Sequence, residues 1–327
     1  MSNAPEISLI GGGTGSFTLL QELKGFTPHI SAIVNMSDDG GSSGQLRDEF
    51  GVLPPGDARQ CLVALSDTPE LREVFNYRFG GEGPHAGHSV GNLLLTALAE
   101  QHGSFEQGIK VASSILHIIG RVIPVTLDEH TLVLHDGDER IEGEYNIGHS
   151  PISPDGVLSL RPYAQINPEA TDAISQSDLV VIAPGNLFGS LLPALMTEGM
   201  SEALAETKAK KVMVTNLVTK PGQTDDWHVV DYVKTVERYV GEGMIDIVLY
   251  NRDLPSEDLL QKYAAKGEFP VNTDEARFAE VAATPIGANL VAADLAKQDE
   301  NDKAIRRTLI RHDAHQVGRQ LMRIFYE

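Results

Sequence analysis

The sequence predicts an α/β fold, a Rossmann-like and mostly parallel sheet flanked by helices, with a β-rich insertion. Short apolar runs of buried-strand type alternate with segments of helical period over the first seventy residues and again beyond residue 167. The first two of these runs stop abruptly in glycine-rich loops, Gly11-Gly12-Gly13-Thr14-Gly15 and Asp38-Asp39-Gly40-Gly41-Ser42-Ser43-Gly44. Between about Val122 and Pro162 the rhythm changes to short strand-like runs around Asp136-Gly137-Asp138, a hairpin signal. With 327 residues and 41% hydrophobic content, the chain can bury a sizeable core; we read a single α/β domain over 1–327 with the β-rich insertion at 122–162.

Taken in order, Ile7 to Ile10 is a strand, Thr14 to Leu23 a helix carrying Phe17, Leu19, Leu20 and Leu23, and Ile30 to Val34 the next strand. Such a βαβ unit makes the two strands parallel. Gly56-Asp57 opens a helix running through Leu65, and Glu70 to Phe79 forms another. Leu93 to Ala99 and Ile109 to Ile119 read as buried helices separated by Gly103-Ser104. Within the insertion, Thr131 to His135, Arg140 to Glu144 and Val157 to Leu160 are strands. Asn167-Pro168-Glu169 is a capped helix start. Leu179 to Ala183, Lys211 to Thr215 and Ile245 to Leu249 are strands, with helices between them at Leu191 to Thr207 and Trp227 to Val240. The tail from Asp302 to Phe325 is helical, broken at Arg311-His312-Asp313.

Net charge of −20 argues against a nucleic-acid surface, since phosphate backbones need clustered Lys and Arg. It leaves room for a small phosphorylated ligand held by backbone amides and a few arginines. The single cysteine, Cys61, lies in an apolar stretch and reads as a buried thiol in a reducing compartment rather than a nucleophile. No apolar run approaches the ~20 residues that span a bilayer, and no charged-then-apolar leader opens the chain, so the expected location is cytoplasmic.

In open parallel sheets ligands bind beyond the carboxyl ends of the strands. Five strand ends are expected to line one crevice: Gly11 to Gly15, Asn35 through Gly44, Pro184-Gly185-Asn186, Thr215-Asn216 and Tyr250-Asn251-Arg252. The first loop lacks the third glycine of a dinucleotide fingerprint, with Ser16 in its place, and lacks the Gly-Lys-Ser/Thr of a P-loop. It is either a tight strand-to-helix turn or a phosphate cradle, and the second loop favours the cradle. There Asp38 and Asp39 are either a solvated turn or a pair in which one carboxylate holds a ribose hydroxyl or Mg²⁺ and the other acts as general base. Gly40, Gly41 and Gly44 admit close backbone approach, with Ser42 and Ser43 as hydroxyl donors.

His85 and His88 stand three apart, but Gly83-Pro84 and Gly87 mark a loop and no further ligand is near, so no metal site is expected. His88 either lines the cleft or caps the helix that Ser89-Val90-Gly91-Asn92 opens. Among arginines Arg47, Arg59, Arg252 and Arg311, the last two have the better claim on a diphosphate. The ligand-binding set is then Gly12, Gly13, Thr14, Gly15, Asp38, Asp39, Gly40, Gly41, Ser42, Ser43, His88, Asn92, Gly185, Asn186, Asn216, Arg252 and Arg311.

At these residues the chain resembles the gluconeogenesis factor family, which shares a superfamily with 2-phospho-L-lactate transferase. The resemblance rests on GGGTG at 11–15, DDGGSSG at 38–44, GVLPPGDARQCLVAL at 51–65, YRF at 77–79, AGHSVGNLLL at 86–95, APGNLFGSLLP at 183–193, TNLVTKPGQTD at 215–225 and RHD at 311–313. It implies a Rossmann-like fold, a cytoplasmic location, and a bacterial protein needed for growth and normal cell shape on gluconeogenic carbon sources. It further implies binding of a UDP-sugar such as UDP-N-acetylglucosamine without an established reaction or a required cofactor. Where the family usually reads GPGSLYTS, residues 183–190 lose a Thr and a Tyr hydroxyl, and Lys220 and Gln223 replace a common Gln and Glu.

Two functions therefore stand. One is a nucleotide-sugar-binding regulator. The other is a transferase moving a phospho-lactyl-type group from a nucleotide diphosphate donor to an alcohol, with Asp38 or Asp39 catalytic and Mg²⁺ as cofactor. The DDGGSSG loop, the LPPGD segment and the late RHD match the regulatory branch more closely. Self-association or partner binding through the β-rich segment is left open by its residues, and nothing in them names a protein partner.

Overall fold

A computed structural model describes residues 4–292 and 310–327. Its elements are β1 (Ile7–Gly11), α1 (Gly13–Leu23), β2 (Ile30–Val34), α2 (Gly41–Phe50), α3 (Gly56–Leu65), α4 (Pro69–Asn76), α5 (Val90–His102), α6 (Phe105–Leu116) and β3 (Arg121–Pro124). There follow β4 (Thr131–Asp136), β5 (Glu139–Glu142), α7 (Glu144–His149), β6 (Val157–Arg161), α8 (Pro168–Gln176) and β7 (Leu179–Ile182). A π-helical turn, Leu187–Leu191, runs into α9 (Leu192–Leu195), then α10 (Met200–Glu206), β8 (Lys210–Val214), α11 (Val229–Val240), β9 (Ile247–Asn251) and α12 (Glu257–Ala264). A 3-10 turn at Glu275–Glu280, β10 (Thr284–Ala288) and α13 (Ala314–Tyr326) complete the described chain.

Seven parallel strands form the main sheet in the order β10-β9-β8-β7-β1-β2-β3. Every residue of β1, β2 and β7 is buried, as expected of strands covered by helices on both faces. The chain leaves β1 toward β2 and β3, returns to β7 on the other side of β1, and then runs outward again. The sheet thus reverses direction between β1 and β7, the place where such folds open a ligand crevice. The helices pack by their apolar stripes: α6 buries Phe105, Ile109, Ala112 and Leu116, and α13 buries Val317, Leu321 and Ile324.

The second sheet is antiparallel, β5-β4-β6, joined by the Asp136-Gly137 turn. It begins at Thr131, later than the 122–162 expected: Arg121–Pro124 pairs in parallel with β2 as an edge of the main sheet. The helix expected over 191–207 is divided, because Gly199 stands in the left-handed region at φ 94° and restarts the chain as α10. The loop expected from Asn35 through Gly44 is cut short by α2, which starts at Gly41. Asn167 caps α8 by accepting the Glu169 N–H at 2.9 Å, as read. The tail forms α13 beyond Asp313, whereas residues 302–309 of the expected tail helix lie outside the described residues.

Candidate functional site: the crevice at the sheet reversal

The β1 loop turns directly into α1. Gly12 is extended, Gly13 takes φ +65°, and no side chain caps the helix. Gly15 packs against the Pro184 carbonyl so closely that a Cβ there would overlap it. The first turn therefore brings backbone N–H groups to the crevice, of which that of Gly13 is taken by the Asp57 carboxyl. Across from them, Gly185 is held by Asn216, whose Oδ1 accepts the Gly185 N–H at 3.3 Å and whose Nδ2 donates to the Gly185 carbonyl at 2.9 Å. His312 Nε2 lies 3.0 Å from the Thr215 carbonyl, and burial pulls its pKa down to about 4, so it stands neutral in the wall. Thr14, Gly15, Thr18, Gly185, Asn216 and Arg311 line the resulting cleft of about 220 Å³.

On the β2 side of the same loop sits a group of carboxyls. Asp57, from the first turn of α3, is buried and accepts the Gly13 N–H. Burial, then the nearby Asp38 and Glu144, push its pKa well above the usual carboxylate range. Asp38 accepts from the Gly40 N–H at 3.0 Å and from Ser43; burial outweighs these bonds and raises its pKa too. Glu144, from the first turn of α7, is pushed up to about 7 by burial and by Asp38 and Asp39. Lys220 donates to the Gly148 carbonyl at 2.7 Å, and burial lowers its pKa against the pull of Glu144. Burial thus shifts all three carboxyls toward their protonated form, in which they repel an incoming phosphate less than ionised ones would. Among the described residues, no group of three or more His, Cys, Asp and Glu side chains is arranged to hold a metal ion. A Mg²⁺ ion here would depend on a ligand's own phosphate oxygens for coordination.

The remaining sequence-predicted residues divide by what they touch. Asp39 accepts the Tyr145 N–H at 2.8 Å and so anchors the start of α7. Asn186 accepts the Gly189 N–H at 3.4 Å and caps the π-helical turn. Ser42, His88 and Asn92 form one chain: His88 Nδ1 lies 2.9 Å from Ser42 Oγ, Asn92 Nδ2 donates to Ser42 Oγ at 3.1 Å, and Asn92 Oδ1 accepts from the buried Arg59 at 3.0 Å. Because arginine only donates, that last bond fixes which way the Asn92 amide faces. Gly40, Gly41, Ser42 and Ser43 bring the start of α2 to the same carboxyl group, again without a side-chain cap. Ser89, not His88, caps α5, by accepting the Asn92 N–H at 3.1 Å.

The expectation that five strand ends share one crevice is corrected at one end. Arg252 is exposed and paired with Asp253 at 3.1 Å, its N–H bound to the Ala288 carbonyl, and it does not line the cleft with Arg311. It follows directly on β9, two strands from the reversal, where its backbone is tied to the end of β10. Asp57 and Glu144 were absent from the predicted set. Asp57 reads in the sequence as a helix cap and Glu144 as the end of a hairpin strand. Pro-Gly-Asp opening a helix that ends in the apolar run Cys61 to Leu65 was the available signal for Asp57, whereas nothing local marks Glu144. Cys61 is buried, and burial pushes its thiol pKa up, as befits a core residue.

A seven-stranded parallel sheet with a glycine-lined crevice at its reversal defines a Rossmann-like α/β protein. The chain belongs to the 2-phospho-L-lactate transferase CofD family, whose sequence profile matches residues 7–291. It is 35% identical over 333 residues to the Bacillus subtilis "Gluconeogenesis factor", covering 100% of both chains. It is 38% identical over 325 residues to the Nostoc sp. "Putative gluconeogenesis factor", covering 98% of this chain and 68% of that one. A crystal structure of a Bacillus halodurans protein superposes with a TM-score of 0.89 at 33% identity, covering 98% of this chain and 100% of the other. The sequence resemblance to gluconeogenesis factors and the α/β fold expected with it both hold over nearly the whole chain.

Proposed function

We propose that this protein is a regulatory gluconeogenesis factor that binds a nucleotide-sugar of the UDP-N-acetylglucosamine type in the cytoplasm and sustains growth and cell shape on gluconeogenic carbon. The observation that carries the reading is the cleft between β1 and β7, lined by Thr14 and Gly15 of the uncapped α1, by Gly185 and by Arg311. Backbone N–H groups and one guanidinium suit a diphosphate in an acidic protein. The gluconeogenesis factor names of the relatives support the physiological half of the proposal.

The test is calorimetry against UDP-sugars, GDP-linked compounds, NAD and FAD, with and without Mg²⁺. UDP-sugar binding that persists without Mg²⁺, yields no product and weakens at least about tenfold in Arg311→Gln supports the reading. Absence of UDP-sugar binding removes it. The carboxyls Asp38, Asp57 and Glu144 beside the phosphate loop, together with the family match to 2-phospho-L-lactate transferase, favour a second reading. In that reading one of them takes the proton of an alcohol acceptor while the loop amides hold the leaving phosphate. A guanosine diphosphate preference with a Mg²⁺ requirement would select it.

A further inference from the structure

Beyond the carboxyl ends of β2 and β3 lies a separate cavity of about 440 Å³, floored by Met36, Leu53 and Pro54 and ringed by Arg47, His130 and Arg161. It shares no lining residue with the cleft at the sheet reversal. Its size falls in the range of small-molecule sites, about 300–1,000 Å³, and its apolar floor with a few convergent polar groups has their usual composition.

The histidine in its wall is fixed. Nδ1 of His130 lies 2.9 Å from the Asp128 carbonyl, which can only accept, so Nδ1 carries the proton. Nε2, 2.8 Å from Ser37 Oγ, then accepts the serine proton. Both nitrogens are spent, and the ring is neutral wall rather than base. Positive charge comes instead from the arginines. Arg47 is paired with Asp48 at 2.8 Å, and its field also reaches Asp38 and His130. Arg161 lies over the Tyr163 ring at 4.9 Å and has no carboxylate partner among the described residues, in a chain whose net charge is −20. Of the acidic side chains at the cavity, Asp48 is taken by Arg47 and Glu129 is exposed.

We propose that this cavity is a second small-molecule site, distinct from the nucleotide-sugar cleft, taking a small amphipathic anion. Its apolar body of about one ring rests on Met36, Leu53 and Pro54, and its phosphate or carboxylate head meets Arg161 and Arg47.

Calorimetry with phenyl phosphate and benzoate as probes tests this, in the wild type, Arg161→Gln and Arg311→Gln, with inorganic phosphate as the headgroup alone. The expected result is saturable binding of at least one probe, with the tighter identifying the head. Binding should weaken about tenfold in Arg161→Gln and stay unchanged in Arg311→Gln, and inorganic phosphate should bind at least about tenfold more weakly than phenyl phosphate. Arg161 is exposed, so its replacement should fold; Arg47→Gln repeats the test should a thermal melt show otherwise. No saturable binding, equal binding in the arginine-cavity variants and wild type, or inorganic phosphate matching phenyl phosphate overturns the proposal. So does equal weakening by Arg311→Gln, which would put the probe in the other cleft. The nucleotide-sugar reading stands or falls separately, on UDP-sugar titration of the same proteins.

Discussion

Replacing Glu144 with glutamine should make the protein more stable at neutral pH while altering its ligand chemistry. Burial beside Asp38 and Asp39 pushes this carboxyl from its ordinary 4.5 up to about 7. Between those values the folded protein keeps a proton that the unfolded chain has released, so stability falls as pH rises from about 4.5 to 7 and levels off above. At about 1.4 kcal/mol per tenfold, the penalty at pH 8 is about 3 kcal/mol, an upper figure because the side chain is only half-buried. Glutamine keeps the shape and removes the ionisation. For a chain of 327 residues the unfolding entropy is about 0.7 kcal/mol/K, so the melting temperature should rise by up to about 4 °C at pH 8 and change little at pH 4. Differential scanning calorimetry of both proteins from pH 4 to 8 measures this directly. A Glu144→Gln protein that melts lower than wild type at pH 8, or whose advantage does not grow with pH, would refute the argument that an ionising carboxyl is forced into this place.

Other consequences are open to test. Gly15→Ala should lower stability by about 1–3 kcal/mol and narrow the cleft, since its Cβ overlaps the Pro184 carbonyl; a melt and a UDP-sugar titration unchanged from wild type would contradict this close approach. His312, held neutral to about 4 by burial, binds fewer protons folded than unfolded, so it makes stability fall on acidification from 6.5 toward 4; His312→Asn should flatten that limb, and an unaltered limb would rule the group out. Gln223 donates to the carbonyls of Ile147 and Ser150 at 2.9 Å each, so Gln223→Ala should cost about 1–3 kcal/mol and speed amide exchange in α7; exchange confined to its wild-type rate would mean that α7 is held by other contacts.

What the sequence showed of the fold depended on burial. The central strands β1, β2 and β7, and the Val212-Met213-Val214 end of β8, are buried and almost wholly apolar because helices cover both faces, and such runs are legible without an alignment. Both sheet edges escaped notice: β3 and β10 are short and contain Pro124 and Pro285, residues that an edge strand tolerates because one row of N–H groups needs no partner. Helix α2 escaped as well, since Gly41-Ser42-Ser43-Gly44 has poor intrinsic helix propensity and forms a first turn only where Leu46 packs beneath it. In the candidate site, the loop glycines were legible because backbone geometry demands them. The roles of the polar residues were not. Asn216 and Asp39 spend hydrogen bonds on holding other segments, a use that depends on partners up to 106 residues away, and Asn186 caps its own turn.

Glu144 reaches the crevice from a segment grown between β3 and β7, and that segment is tied down largely through main-chain carbonyls, those of Ile147, Gly148 and Ser150. Carbonyls are present whatever residue stands there. Substitutions along α7 can therefore exchange the chemical group presented at the crevice without loosening the fastening, while the parallel sheet beneath goes on supplying the same glycine-lined loop. The scaffold and the reactive group sit on separately editable parts of the chain.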